Sequence, residues 1–409
     1  MLVGALLVLV LLVLVLLVLV VGRRAAATGL AAIPSARQRP DDMDHFMTAL
    51  VRWTTENGPV FKLRLGPAWV VLVADVHVAH QVLTQSHVRE PPSATWRTAP
   101  TSLFWMDEAG WRRRRRALST TVFSAARAKG RSDAALGAAL DRLRSVLGDA
   151  RGAVVNMSEL LSLTVMDVLV RFLFGRGLDP QRDGAAVRAI GVLNRTFNEV
   201  NNTDSPSALD QHDRAHALLE AYVQGEDEAA DVDETIALLL AGLETTSSTL
   251  QWLVYLTCTH RLPAAAHIDA RYVDACVQET MRLYPAALIV PRVLQLPLTA
   301  HGVTIPAGTH VFVNLPAINQ LESDWGPNPS AFVPERHLTS ESRRRLVHNF
   351  GGGQHVCLGQ RLAQAELDAI ATVLLTEYHF SLADDAGDRP IEARCGFTLY
   401  PSRDLLVYL

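Results

Sequence analysis

Phe350-Gly351-Gly352-Gly353-Gln354-His355-Val356-Cys357-Leu358-Gly359 runs directly into a helical pattern over residues 360–376. Three consecutive glycines let a backbone approach a flat ligand closely and adopt positive φ. The thiol stands at the entrance to that helix, where the macrodipole is expected to lower its pKa and favour the thiolate, the form that binds metal. The other cysteines, Cys258, Cys276 and Cys395, are widely separated, and none forms a CxxC pair. One thiolate with no second Cys or His at zinc spacing suits an ion whose remaining ligands are not protein, and haem iron meets that description. On these residues alone, a buried free cysteine in a Gly-rich turn is the plain alternative.

Upstream, Glu279 and Arg282 stand three apart in Glu279-Thr280-Met281-Arg282-Leu283-Tyr284-Pro285, so they share a helix face and can pair. Pro334-Glu335-Arg336 follows. Ala241-Gly242-Leu243-Glu244-Thr245-Thr246 lies inside a long apolar helical pattern over 233–260, where a glycine and a hydroxyl in mid-helix leave room beside the chain. A helical threonine more often only bonds back to the preceding turn. Trp111 and Arg115 stand four apart in a run of five arginines, Arg112 to Arg116. Guanidinium forks suit planar carboxylates, although such a run alone reads as a solvated basic face.

In this order the stretches resemble the cytochrome P450 family. Phe350, Gly353, Cys357 and Gly359 match its haem-binding signature FxxGxRxCxG, with His355 at the position usually held by Arg and Asn349 where Pro often precedes the Phe. The resemblance implies a mainly α fold with small β-sheets (α+β). It also implies haem b as cofactor, with Cys357 as axial thiolate and Trp111, Arg115, Arg292 and His355 beside the propionates. Glu279, Arg282 and Arg336 would form a structural ion network. Glu244 and Thr245 would carry protons to bound oxygen.

The activity so implied is insertion of one oxygen atom from O2 into an organic substrate. No room remains for a fused redox domain, so electrons would come from a separate partner: a ferredoxin, a flavodoxin-like protein or a reductase. Arg112 to Arg116 and Arg343 to Arg345 are the candidate docking patch. By position relative to the motifs, Phe197, Ala237, Ala241, Ala287, Leu288, Ile289 and Phe397 would line an apolar pocket for a lipophilic substrate, and each could equally be ordinary core. A haem-thiolate isomerase, dehydratase or peroxide-driven enzyme is the alternative, as is an inactive haem protein of the same fold.

The chain has 409 residues, 49% of them hydrophobic, with a mean hydropathy of +0.14. Part of that excess lies in Leu2 to Val21, which carry no charge and as a helix would span about 30 Å, one membrane crossing. Residues 1–22 are therefore read as a membrane anchor, 23–45 as a linker and 46–409 as the haem-thiolate domain. Arg23 and Arg24 place that domain on the cytoplasmic side; if the segment is not translated, the protein is simply cytoplasmic. A net charge of −4 with no long basic tail argues against nucleic acid. Four cysteines are too few to staple so large a domain.

Alternation at Phe61, Leu63, Leu65 and then Ala68 to Val73 predicts a hairpin. Helical periodicity follows over residues 76–85, 111–118, 133–147, 157–174, 185–200, 208–224 and 233–260. Short strands are expected only near 303–305, 310–314 and 397–408, the last divided by Pro401. About seventy residues separate Gly175 from Thr245, fewer than in family members, which predicts an abbreviated roof over the pocket.

Overall fold

The computed structural model describes residues 30–38, 45–65, 68–85, 101–104, 106–202, 206–226, 231–260, 262–263, 268–338, 348–383 and 391–409. Twelve helices are named among them. They are α1 (Phe46–Asn57), α2 (Val76–Thr84), α3 (Glu108–Thr120), α4 (Ala125–Asp149), α5 (Met157–Phe174) and α6 (Pro180–Asn202). The rest are α7 (Pro206–Glu226), α8 (Val232–Thr259), α9 (Ala270–Leu283), α10 (Leu315–Ile318), α11 (Glu322–Trp325) and α12 (Gln360–Glu377). The strands are β1 (Val60–Leu65), β2 (Ala68–Val73), β3 (Val154–Asn156), β4 (Ile289–Val293), β5 (Leu298–Ala300) and β6 (Val303–Ile305). β7 (His310–Asn314), β8 (Ser381–Leu382), β9 (Ala393–Cys395), β10 (Leu399–Pro401) and β11 (Leu406–Tyr408) complete them.

The largest sheet has the order β1-β2-β7-β4, with β2 and β7 parallel and the other pairs antiparallel. The smaller ones are β3-β11-β8, β9-β10 and β5-β6. The expected hairpin is β1 and β2, paired from Val60↔Val73 to Leu65↔Ala68. Strands are more numerous than expected. β3 and β8 are two or three residues long and exist only through pairing with β11, so no local alternation announces them. The stretch 397–408 is divided at Pro401 as expected: Pro401 ends β10, where a missing N–H is tolerated, and β11 starts at Leu406.

Helix α8 crosses the main core, with Ile236, Leu239, Leu240, Leu243, Leu250, Trp252 and Leu253 all buried. Asp231 caps its start by accepting from the Glu234 N–H, and Asp269 does the same for α9 through Tyr272. Helix α1 lay outside the expected helices, yet Ala49, Leu50 and Trp53 pack on Phe61 and Leu72 of the hairpin.

Over the roof, the helices expected at 185–200 and 208–224 are longer than their periodicity marks, with 23 residues in α6 and 21 in α7. Arg176, in the turn after α5, ties both down, with Asp183 at 2.7 Å and Glu226 at 2.6 Å, while the Tyr222 hydroxyl donates to Asp183. Helix α7 ends at Glu226 and α8 begins at Val232.

The expected linker is in part packed structure. Leu30 and Ile33 are buried against Val71 and Val73, the Lys62 N–H donates to the Pro34 carbonyl, and Ala36 returns a bond to Lys62. Two apolar side chains three apart bring this stretch into the domain. Leu2 to Val21 lies outside the described residues; among the described residues no helix is long and apolar enough to cross a membrane.

Candidate active site

The loop before α12 is closed by its own backbone: the Cys357 N–H donates to the Phe350 carbonyl at 2.8 Å, and Gly351 donates to His348 at 2.8 Å. Gly351 and Gly353 hold φ of 73° and 64°, in the left-handed region. At Gly353 a Cβ would lie 2.1 Å from the Leu83 carbonyl oxygen, so the loop lies directly against the end of α2. Gly359 precedes α12, and its carbonyl accepts the Ala363 N–H.

Cys357 is exposed, yet protein crowds its sulfur, so it lies in a recess. The expected drop in its pKa is not what the environment produces. Desolvation pushes the thiol above its ordinary value; the Gly359 and Gln360 N–H groups and the Arg115 guanidinium pull the other way without prevailing. A metal ion would supply the missing stabilisation of the thiolate.

Four further side chains gather around this loop. Trp111 is buried, and its ring centroid lies 3.8 Å from that of His355 with the planes 33° apart. His355 Nε2 is 3.5 Å from the Glu108 carboxylate. Arg115 lies over Trp111, and half-burial drags its guanidinium below its ordinary pKa. Among the described residues no carboxylate pairs with Arg115, so a buried-edge cation awaits an anion. Arg292, buried on β4, donates to the Pro291 carbonyl and, at 3.4 Å, to that of Gly352. A recessed sulfur, a glycine loop without Cβ atoms and the unneutralised Arg115 charge fit a flat, dicarboxylate-bearing metal macrocycle such as haem.

In mid-α8 the Thr245 hydroxyl donates to the Ala241 carbonyl at 2.7 Å, and α8 continues as a regular helix through that point. Threonine back-bonding of this kind holds the turn closed. The space beside Gly242 is also taken, since a Cβ there would meet the Leu169 side chain of α5 at 2.8 Å. Glu244 accepts from Asn194 of α6 at 2.6 Å, and burial lifts its carboxyl to about 7. Sequence reasoning missed Asn194. It also missed Glu366 of α12, which is 1% exposed, faces the Thr246 hydroxyl and is pushed up by burial to about 8.

Glu279, Arg282 and Arg336 lie together in one cluster, which holds a further member. Arg282 donates to both Glu279 oxygens at 2.7 Å and to the carbonyls of Asn319, Pro329 and Ala331. Arg336 lies 3.6 Å from Glu279 and bonds mainly to the Trp325 and Asn328 carbonyls. The closer third partner is His337, 2.7 Å from Glu279, which the sequence reading passed over. Only its place beside Arg336 signalled it.

The expected pocket residues are scattered in character. Ala241 and Ile289 are half-buried and Ala287 is exposed, whereas Ala237 and Leu288 are buried members of two different core clusters. Phe397 meets Phe104 edge to face at 6.0 Å. The Phe197 side chain lies outside the described residues. In the basic run, Arg112 pairs with Glu108 and Arg114 with Asp231 at the start of α8, leaving Arg113 and Arg116 exposed; Arg343 to Arg345 lie outside the described residues.

The sequence profile of cytochrome P450 matches residues 34–232 and 261–407. The chain belongs to the cytochrome P450 family. Its cofactor is accordingly haem held through an axial cysteine thiolate. The stretch between the two matched segments holds Glu244 and Thr245.

The structure of a six-coordinated cytochrome P450 from Thermus thermophilus superposes with a TM-score of 0.71 over 91% of this chain and 99% of that one, at 23% identity, which shows the P450 fold. Among curated relatives, cytochrome P450 monooxygenase helB1 of Aspergillus fumigatus is 31% identical over 44% of this chain and 36% of its own length. Cytochrome P450 137 of Mycobacterium tuberculosis is 33% identical over 48% and 43%. Human lanosterol 14-alpha demethylase is 31% identical over 36% and 34%. The matched part thus spans less than half the length of each of these three curated relatives.

Proposed function

We propose that this P450 is a monooxygenase that inserts one atom of O2 into a lipophilic organic substrate, with electrons from a separate redox partner. The observation that carries this reading is Cys357, recessed at the start of α12, with two backbone N–H groups and Arg115 turned to its sulfur. Cys357 would hold the haem iron, and Trp111, Arg115, Arg292 and His355 its propionate edge, with Phe350, Gly353 and Gly359 shaping the loop. Bound there, haem supplies activation of dioxygen with thiolate assistance.

Glu244, poised at about 7, gains and loses a proton near neutrality, as a proton-carrying acid should. Thr245 would pass that proton on by rotating its hydroxyl from the Ala241 carbonyl. Phe104 and Phe397 supply an apolar surface for the substrate. Exposed Arg113 and Arg116 would attract an acidic ferredoxin, flavodoxin-like protein or reductase domain. Leu2 to Val21 would anchor the chain, with residues 46–409 on the cytoplasmic side; salt-resistant pelleting of a carboxy-terminally tagged full chain supports the anchor, and a supernatant product defeats it.

The test of activity is turnover of a lipophilic substrate panel under labelled O2 with a reductase system. One labelled atom in product, dependent on reductant, supports the reading. Product without label, or formed equally in the absence of O2, supports an isomerase or dehydratase instead.

A further inference from the structure

Asn194 is 2% exposed and stands where three parts of the chain meet: α6, mid-α8 and the turn between β9 and β10. Its amide nitrogen donates to Glu244 Oε2 at 2.6 Å and to the Thr398 hydroxyl at 3.1 Å. Its amide oxygen accepts the Thr398 N–H at 2.9 Å, and its main-chain carbonyl accepts from Phe397 at 3.3 Å. A backbone N–H can only donate, so the oxygen must face Thr398 and the nitrogen must face Glu244. The turn is shaped to this contact: a Cβ on Gly396 would lie 2.1 Å from the Asn194 carbonyl oxygen.

We propose that Asn194 is a positioning residue that fixes the Glu244 carboxyl and ties its placement to the Gly396–Thr398 turn carrying Phe397. The proposal rests on the reading of Glu244 as the proton-carrying acid. Both donors of the Asn194 amide are used, so a shift of the turn is felt at the carboxyl through one side chain. Substrate packed on Phe397 and Phe104 would then set the proton donor as well as fill the pocket.

The groups acting on Glu244 are few. Burial raises its pKa, while the Asn194 amide and the Arg195 guanidinium on the same helix oppose that rise. The turn presents neutral Thr398 and Phe397, and α5 meets α8 through aliphatic Leu169 against Gly242. Removing the Asn194 donor therefore moves the Glu244 midpoint upward, by about one unit if the bond is an ordinary charge-assisted one.

The experiment is a pH titration of the holoenzyme by difference infrared spectroscopy, with the protonated-carboxyl band assigned by its loss in Glu244→Gln. Wild type should titrate near 7. Asn194→Leu and Asn194→Ala, both neutral and without the amide donor, should titrate about one unit higher or more. Asn194→Ala adds no bulk, so it decides the matter if Asn194→Leu does not fold. An unchanged midpoint in Asn194→Ala overturns the proposal. The pH profile of product formed per O2 consumed should shift in parallel. If Glu244→Gln leaves that ratio unchanged while Asn194→Ala still moves the band, the proton role of Glu244 fails and the positioning by Asn194 stands.

Discussion

The His355 imidazole lies against the Trp111 indole, ring centroids 3.8 Å apart, with its Nε2 3.5 Å from the Glu108 carboxylate. Glu108 and Trp111 both belong to α3, so His355 pins the cysteine loop to that helix. Where the family usually places a guanidinium, this chain uses a flat ring in a stack. A well-placed aromatic pair contributes about 1 kcal/mol beyond its burial, which is about fivefold in an equilibrium. His355→Ala should therefore release haem to an acceptor globin about fivefold faster than wild type, while His355→Phe, which keeps the stack, should stay closer to it. Equal release from all three proteins would show that the stack does not hold the loop.

Gly353 permits no side chain. A left-handed backbone costs a non-glycine residue roughly 1–2 kcal/mol, and here the Cβ would also collide with the Leu83 carbonyl. Gly353→Ala should lower stability to urea by about 2 kcal/mol or more and sharply reduce haem content. Gly359→Ala, where a Cβ meets no protein atom within 4 Å, should be mild in the urea measurement.

Glu279 governs the acid limb of stability. Burial favours its neutral form, but the Arg282 and His337 hydrogen bonds outweigh it and hold the carboxyl below its ordinary pKa. A group depressed on folding stabilises the protein above its unfolded pKa, and that contribution fades as pH falls through the folded value. Glu279→Gln should lose stability at pH 7 and show a flatter decline below about pH 4.5. Glu279→Ala leaves Arg282 buried without its partner and should cost about 3–5 kcal/mol at neutral pH. Urea denaturation across pH checks both, and an acid limb of unchanged slope would count against the network.

Glu366 has the opposite sign. Burial lifts it to about 8, only partly relieved by the Thr246 hydroxyl, so the native state holds a proton that the unfolded chain gives up from about pH 4.5 upward. Wild type loses stability across that window, at up to about 1.4 kcal/mol per pH unit. Glu366→Gln, which is neutral throughout, should be more stable than wild type at pH 8 and converge with it at pH 5. Parallel denaturation curves at the two pH values would show that the carboxyl is not held neutral.

Residues whose chemistry demands one identity were legible in the sequence: the Cys357 loop, Glu279 with Arg282, and the Trp111–Arg115 pair all fall where short spacing predicts. The β1–β2 hairpin and the long helix α8 were legible too, because local periodicity encodes them. What escaped was set by partners far along the chain. Asn194 meets Thr398 across 204 positions, and His337 meets Glu279 across 58. An asparagine or histidine inside an ordinary polar pattern carries no local mark of such a partner. Gly242 was misread for a related reason: its missing side chain serves Leu169 of the neighbouring helix, which spacing within α8 does not reveal.

Ligation of haem iron by Cys357 is read most directly in the reduced, CO-bound difference spectrum of the full chain beside Cys357→Ala. A strongly red-shifted Soret band in wild type, absent from the variant, is expected of an axial thiolate at Cys357. A band at the blue-side position of non-thiolate haem in wild type, or a red-shifted band that survives in Cys357→Ala, would contradict it.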